Sequence, residues 1–173
     1  MNSPQPGDWA VCSVGGAGGR VIEVLEYLNG DGFVPFEHAF IYVGDGQILQ
    51  AEPGGADIVA YTERGAELWS SGKIPLTAAQ RSQVPMLARQ LKGIPYSWLD
   101  YAALSGHRLH VPDLPVWPGP HHPVTLRTFI GDSGHMICSQ LVDYLMLRLG
   151  VHLFTDKRWP GYVTPAALAE LLA

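Results

Sequence analysis

The sequence predicts an α+β domain, and three observations carry that prediction. Phe36 to Val43 is rich in aromatic and branched residues, Gly44-Asp45-Gly46 follows as a turn, and Gln47 to Glu52 returns. That pattern is a β-hairpin. Further along, Leu141, Val142, Leu145 and Leu149 recur at the spacing of a helix with one buried face. Strands that neighbour one another between helical segments, rather than alternating with them, point to an antiparallel sheet. With 173 residues, 47% of them hydrophobic and 16% charged, the chain can bury the core of one domain, residues 1–173.

The remaining elements follow in chain order. Asp8 to Val14 is a short apolar run ending at Gly15-Gly16, a first strand. Val21, Ile22, Val24, Leu25 and Leu28 have helical spacing, and Asn29-Gly30-Asp31-Gly32 stops that helix. After the hairpin, Pro53-Gly54-Gly55 breaks the chain, Ile58 to Thr62 reads as another strand, and Glu67 to Ser70 as a short one. Thr77 is placed to cap a helix running through Val84, Leu87, Ala88 and Leu91, with Pro85 able to kink or split it. Gly93-Ile94-Pro95-Tyr96 is a break and Trp98 to Leu104 a further helix. From His107 to Pro123, Pro112, Pro115, Pro118, Pro120 and Pro123 are expected to exclude regular structure, with Trp117 as an anchor. Thr164-Pro165 opens a last short helix, with proline at the position that tolerates it best.

Composition narrows the function. A net charge of −5 disfavours nucleic acid as a partner, because phosphate binding wants a basic face. Two cysteines, Cys12 and Cys138, are too few for a disulfide framework and suit a reducing compartment. The N-terminal residues lack a basic run followed by an apolar core, and no apolar run reaches the length of a membrane span. The expectation is a soluble, cytoplasmic protein, with release by lysis or carriage in a particle left open.

The segment with the most chemistry is Gly134-His135-Met136-Ile137-Cys138-Ser139-Gln140-Leu141-Val142. It reads as a helix start with a thiol in the first turn, capped by Asp132 or Ser133. Unpaired backbone N–H groups and the positive end of the helix dipole favour thiolate there, and the same N–H groups can hold a developing oxyanion. In the hairpin, side chains alternate faces, so His38, Phe40 and Tyr42 share one face, as do Ile48, Gln50 and Glu52. The turn puts His38 across from Gln50 to Glu52, a base beside a polar residue able to orient it. A cysteine on a helix packed against that sheet completes a nucleophile, base and orienter. Each residue also has an ordinary structural reading: a buried thiol at a helix start, a strand histidine, an edge-strand polar face.

These residues carry a resemblance. Glu37-His38-Ala39-Phe40-Ile41-Tyr42-Val43-Gly44, followed by Ile48-Leu49-Gln50-Ala51, resembles the strand pair of the NlpC/P60 papain-like cysteine hydrolases, in which a histidine opens "HxxIYxG" and a polar residue precedes alanine on the next strand. Gly93 to Trp98 resembles the "GxPYxW" stretch and Cys138 to Val142 the "CSxLV" nucleophile helix. Here the histidine strand comes first and the cysteine helix last, with Gly7-Asp8 leading in. That order resembles the circularly permuted branch, with its YiiX-like and lecithin:retinol acyltransferase-like members, over Gly7 to Leu149. The resemblance implies a permuted papain-like fold, an antiparallel sheet packed against the nucleophile helix, and a cysteine peptidase or amidase that needs no cofactor. It implies Cys138 as nucleophile, His38 as base and Gln50 as third residue. Glutamine departs from the histidine or glutamate common there, and Glu52, on the same face, is the alternative to the preferred Gln50. Tyr96 matches a position near the active site, and the backbone N–H of Cys138 or Ser139 is the candidate oxyanion donor. The implied substrate is a cell-wall peptide or peptide-like amide. The alternatives are a thioesterase or acyltransferase acting on lipid acyl groups, and a binding or structural module without turnover.

Other readings carry less. His107, His110, His121, His122 and His135 show no HxxxH spacing and no CxxC accompanies them, so no metal site is expected. His135, three residues before Cys138, is a rival base if both lie on one helix. Cys12, in an apolar strand with no histidine nearby in sequence, reads as core. The glycines after Ser13 do not follow GxxxxGK[ST]. Tyr42, Trp69, Trp98 and Trp117 read as core or pocket walls.

Overall fold

The computed structural model describes residues 3–13, 36–63, 65–96, 115–119, 122–125, 136–155 and 163–173. Within them the chain runs β1 (Trp9–Cys12), β2 (His38–Gly44), β3 (Gln47–Glu52), β4 (Gly55–Ala60), β5 (Glu67–Trp69), α1 (Ala78–Leu91), β6 (Pro115–Gly119), β7 (His122–Thr125), α2 (Cys138–Arg148) and α3 (Pro165–Glu170). The architecture is α+β. Five strands form one antiparallel sheet in the order β4-β3-β2-β1-β5, and β6 and β7 pair separately.

The hairpin is where the sequence predicts it. Asp45, at φ 51, and Gly46, at φ 68, make the left-handed corner between β2 and β3, a conformation open to glycine and tolerated by aspartate. The next strand begins earlier than expected. Pro53-Gly54 alone makes the turn, and Gly55, at φ 105, is already the first residue of β4. A Cβ on Gly55 would meet the Ile94 carbonyl oxygen at 3.0 Å, so a glycine here lets the chain at Ile94 lie against the strand.

One face of the sheet is covered by helices. Ala39, Ile41, Val43, Leu49, Ala51 and Ala56 alternate inward from β2, β3 and β4 and join Leu141, Val142 and Leu145 of α2 with Val84, Leu87, Ala88 and Leu91 of α1 in one core. α2 packs on β2 and β3, α1 on β2, β4 and α2, and α3 on β1 and α2. The opposite face carries a second cluster, Ala10, Cys12, Phe40 and Ile48, flanked by Tyr42, Val59, Tyr61 and Trp69.

α1 starts as predicted, with Thr77 accepting from the Gln80 N–H and Gln80 accepting from the Thr77 N–H, a reciprocal cap. Pro85 does not split it, since the residues around it on the buried face, Val84, Leu87 and Ala88, are anchored in the core. α3 starts at Pro165 with Thr164 accepting from the Ala167 N–H. Gly7-Asp8 is structural. Asp8 accepts from Gln5 N–H, from the Ser71 hydroxyl and from Arg81 at 2.8 Å, tying the chain entry to β5 and α1.

Two expectations are corrected. The proline-rich stretch is not wholly loop: β6 and β7 pair with Pro115 opposite Thr125, Val116 opposite Val124 and Gly119 opposite His122, the register shifting between Val116 and Gly119. Among the described residues each strand of this ribbon has one partner and so is an edge, where prolines are tolerated. The cysteine helix starts later than expected, and Asp132 and Ser133 lie outside the described residues. Its N-cap is Ile137, and the Gln140 side chain accepts from the Ile137 N–H at 3.0 Å. The helices expected at Val21–Leu28 and Trp98–Leu104, and the Trp117 side chain, lie outside the described residues.

Candidate active site

His38 is the first residue of β2, Gln50 lies near the end of β3, and both are buried. Phe40 pairs directly with Gln50, so His38 and Gln50 are diagonal neighbours on one face, within reach of long side chains. His38 Nε2 and Gln50 Oε1 are 3.1 Å apart. An amide oxygen only accepts, so Nε2 is the donor, and the neutral ring then presents the lone pair of Nδ1 as its base. Glu52, two residues on, is exposed. Gln50 thus holds the imidazole through its side-chain amide.

Cys138 is the first residue of α2 and is 1% exposed. A chain of backbone bonds locates it. The Ala56 N–H donates to the Ile94 carbonyl, the Gly93 N–H to the Ala56 carbonyl, and the Met136 N–H to the Pro95 carbonyl. Ala56 pairs with Ala51 near the end of β3. The start of α2 is thus anchored, through Pro95, to the end of the sheet that bears His38 and Gln50. At that end the helix-side core is built from Ala39, Ala51 and Ala56, with which Cys138 shares its cluster. Side chains of one methyl let a helix approach the strands closely.

The first intrahelical amide bond of α2 runs from Leu141 to the Ile137 carbonyl, so the N–H groups of Cys138, Ser139 and Gln140 precede the ladder. The Ser139 side chain is committed to structure, its hydroxyl donating to the Val163 carbonyl at 2.7 Å. That leaves its backbone N–H as the candidate oxyanion donor. Tyr96 is half-buried against the helix-side core, one residue after the carbonyl that holds Met136.

No protein-family model and no curated protein matches the chain.

His135 precedes the first residue of α2, so the helical spacing that made it a rival base does not apply, and it lies outside the described residues with His107, His110 and His121. No group of three or more His, Cys, Asp or Glu suited to a metal occurs among the described residues. None of the described helices is long and apolar enough to cross a membrane.

Cys12 is buried core, as expected, but it has a neighbour that sequence reasoning missed. It pairs directly with His38 across β1 and β2 and with Glu67 across β1 and β5. Directly opposed residues of antiparallel strands share a face, so this thiol is a close neighbour of the imidazole. β1 and β2 are not joined by a hairpin, and no local signal announces their pairing.

Proposed function

We propose that the chain is a cysteine-dependent hydrolase that cleaves an amide bond in a cell-wall peptide or peptide-like substrate, with Cys138 as nucleophile, His38 as base and Gln50 as the residue that positions His38. The observation that carries this reading is the buried 3.1 Å contact between His38 Nε2 and Gln50 Oε1, which leaves Nδ1 to manage a proton. Support also comes from the anchoring of the α2 start beside Pro95, at the same end of the sheet.

In this mechanism Nδ1 takes the Cys138 proton and the thiolate attacks the substrate carbonyl carbon. The carbonyl oxygen becomes an oxyanion facing the N–H groups at the start of α2. The tetrahedral intermediate collapses, the C–N bond breaks, and the imidazolium delivers its proton to the departing amine. Water, deprotonated by Nδ1, then attacks the thioester, releasing the acid and returning the proton to sulfur. Gln50 accepts from Nε2 throughout, holding the ring plane without supplying a negative charge. Tyr96, next to the α2 anchor, contacts the substrate.

A second assignment of the nucleophile has one observation in its favour: Cys12 stands directly across from His38. Cys12 lies inside a strand, however, with no helix N-terminus to favour its thiolate. The test is hydrolysis of peptidoglycan-derived peptides and of acyl thioesters by the wild-type protein, C138A, C12A and H38A. Peptide hydrolysis lost in C138A and H38A and kept in C12A is the expected result. Hydrolysis of thioesters alone makes the enzyme a lipid thioesterase or acyltransferase, and activity that survives in C138A but not in C12A moves the nucleophile.

A further inference from the structure

Beyond His38, the sheet face opposite the helices ends in an aromatic wall with a carboxylate set into it. Trp69 packs edge-on against Tyr61 at 5.7 Å between ring centroids and against Phe40 at 5.3 Å. Phe40 and Tyr61 are 6.0 Å apart. The residue between Phe40 and Trp69 in the register is Ala10, small enough for rings from flanking strands to meet above it. The Tyr61 hydroxyl and the Trp69 indole N–H both donate to the same Glu67 oxygen, each at 2.8 Å. A shared acceptor of this kind fixes both rings against one anionic group.

In front of these residues is a cavity of about 500 Å³, bordered by Ser3, Pro4, Tyr61, Glu67, Trp69 and Ser71. That is the size of a small-molecule site. Glu67 supplies the charge among these bordering residues. Burial, then the bond to Glu67, pushes the Tyr61 phenol up to about 12, so it remains a neutral donor at ordinary pH. Electron-rich ring faces beside a carboxylate attract a cation whose positive charge is spread over carbon-bound hydrogens. A neutral apolar ligand gains nothing from the carboxylate, and an anion is repelled by it.

We propose that the cavity bounded by Tyr61, Trp69 and Glu67 binds an organic ammonium ion, with its cationic head against the two rings and beside the Glu67 carboxylate. The site stands apart from the hydrolase reading and does not need it. Glu67 and His38 flank Cys12 from opposite strands, two interstrand spacings or roughly 10 Å apart along the sheet, so one extended ligand can span both.

The test uses choline and its uncharged isostere, in which a quaternary carbon replaces the nitrogen. Each is titrated at constant ionic strength into the whole protein while the Trp69 indole N–H resonance is followed. Choline should shift that resonance and bind about tenfold more tightly than the isostere. E67Q, which keeps an acceptor for both donors, should weaken choline by a similar factor and leave the isostere unchanged. Equal binding of the two ligands, or no choline-dependent shift at Trp69, overturns the proposal. The comparison of ligands on the wild-type protein decides it even if E67Q fails to fold.

Discussion

The two faces of the five-stranded sheet are built from the same strands and have opposite characters. Toward the helices, Ala39, Ile41, Val43, Leu49, Ala51 and Ala56 present only hydrocarbon, closed over by α1 and α2. On the other side, His38 of β2 and Gln50 of β3, with Cys12 of β1 and Glu67 of β5, sit among Phe40, Tyr61 and Trp69. A period of two writes both messages into one hairpin. The helix face fixes where α2 begins, and the opposite face fixes the imidazole. The proposed chemistry needs both, and the start of α2 is anchored through Pro95 at the sheet end where β2 starts. Substitutions on the first face should therefore read out as stability, and those on the second as function.

Cys138 to alanine offers the sharpest break in that comparison. It belongs to the helix-side cluster, yet peptide hydrolysis should fall on the order of 10⁴-fold or more while thermal unfolding shifts little. A large loss of stability with turnover intact would make Cys138 mere core. Leu145 to alanine, fully buried on α2, should cost about 2–5 kcal/mol in denaturant unfolding, with turnover per folded molecule unchanged. Gln50 to alanine should lower turnover about 10–100-fold and cost about 1–3 kcal/mol, because a buried imidazole N–H loses its acceptor. Gln50 to glutamate restores an acceptor, and turnover should recover with it, which a purely structural role does not require.

The smallest effect belongs to Tyr61. Its pKa is raised from 10.0 to about 12 in the folded chain, first by burial and then by Glu67. A raised folded pKa means the contribution to stability is complete below the unfolded value and fades as pH climbs through the folded one. Unfolding followed from pH 10 to 12 should show that decline, and Tyr61 to phenylalanine should flatten it. A decline of equal steepness in the variant assigns it to other groups.

Local signals made much of this legible. The Gly44-Asp45-Gly46 corner, alternation along β2 and β3, and Thr77 and Thr164 as caps each depend on residues a few positions apart. For the same reason His38 and Gln50 could be paired on paper. Pairing of β1 with β2 and β5 is non-local, so the position of Cys12 between His38 and Glu67 had no signature. The start of α2 was misplaced because Gln140 reaches back from inside the helix to the Ile137 N–H, a bond that needs no polar side chain at the N-cap. Prolines in β6 and β7 obscured a ribbon whose strands each have one neighbour among the described residues.

Alkylation of the two thiols by iodoacetamide as a function of pH tests the central claim most directly. If Cys138 is the nucleophile served by His38, it reacts rapidly well below the free-thiol pKa of about 8.5, it slows in H38A, and Cys12 is spared. Slow labelling of both cysteines at equal rates, unaffected by H38A, would contradict it.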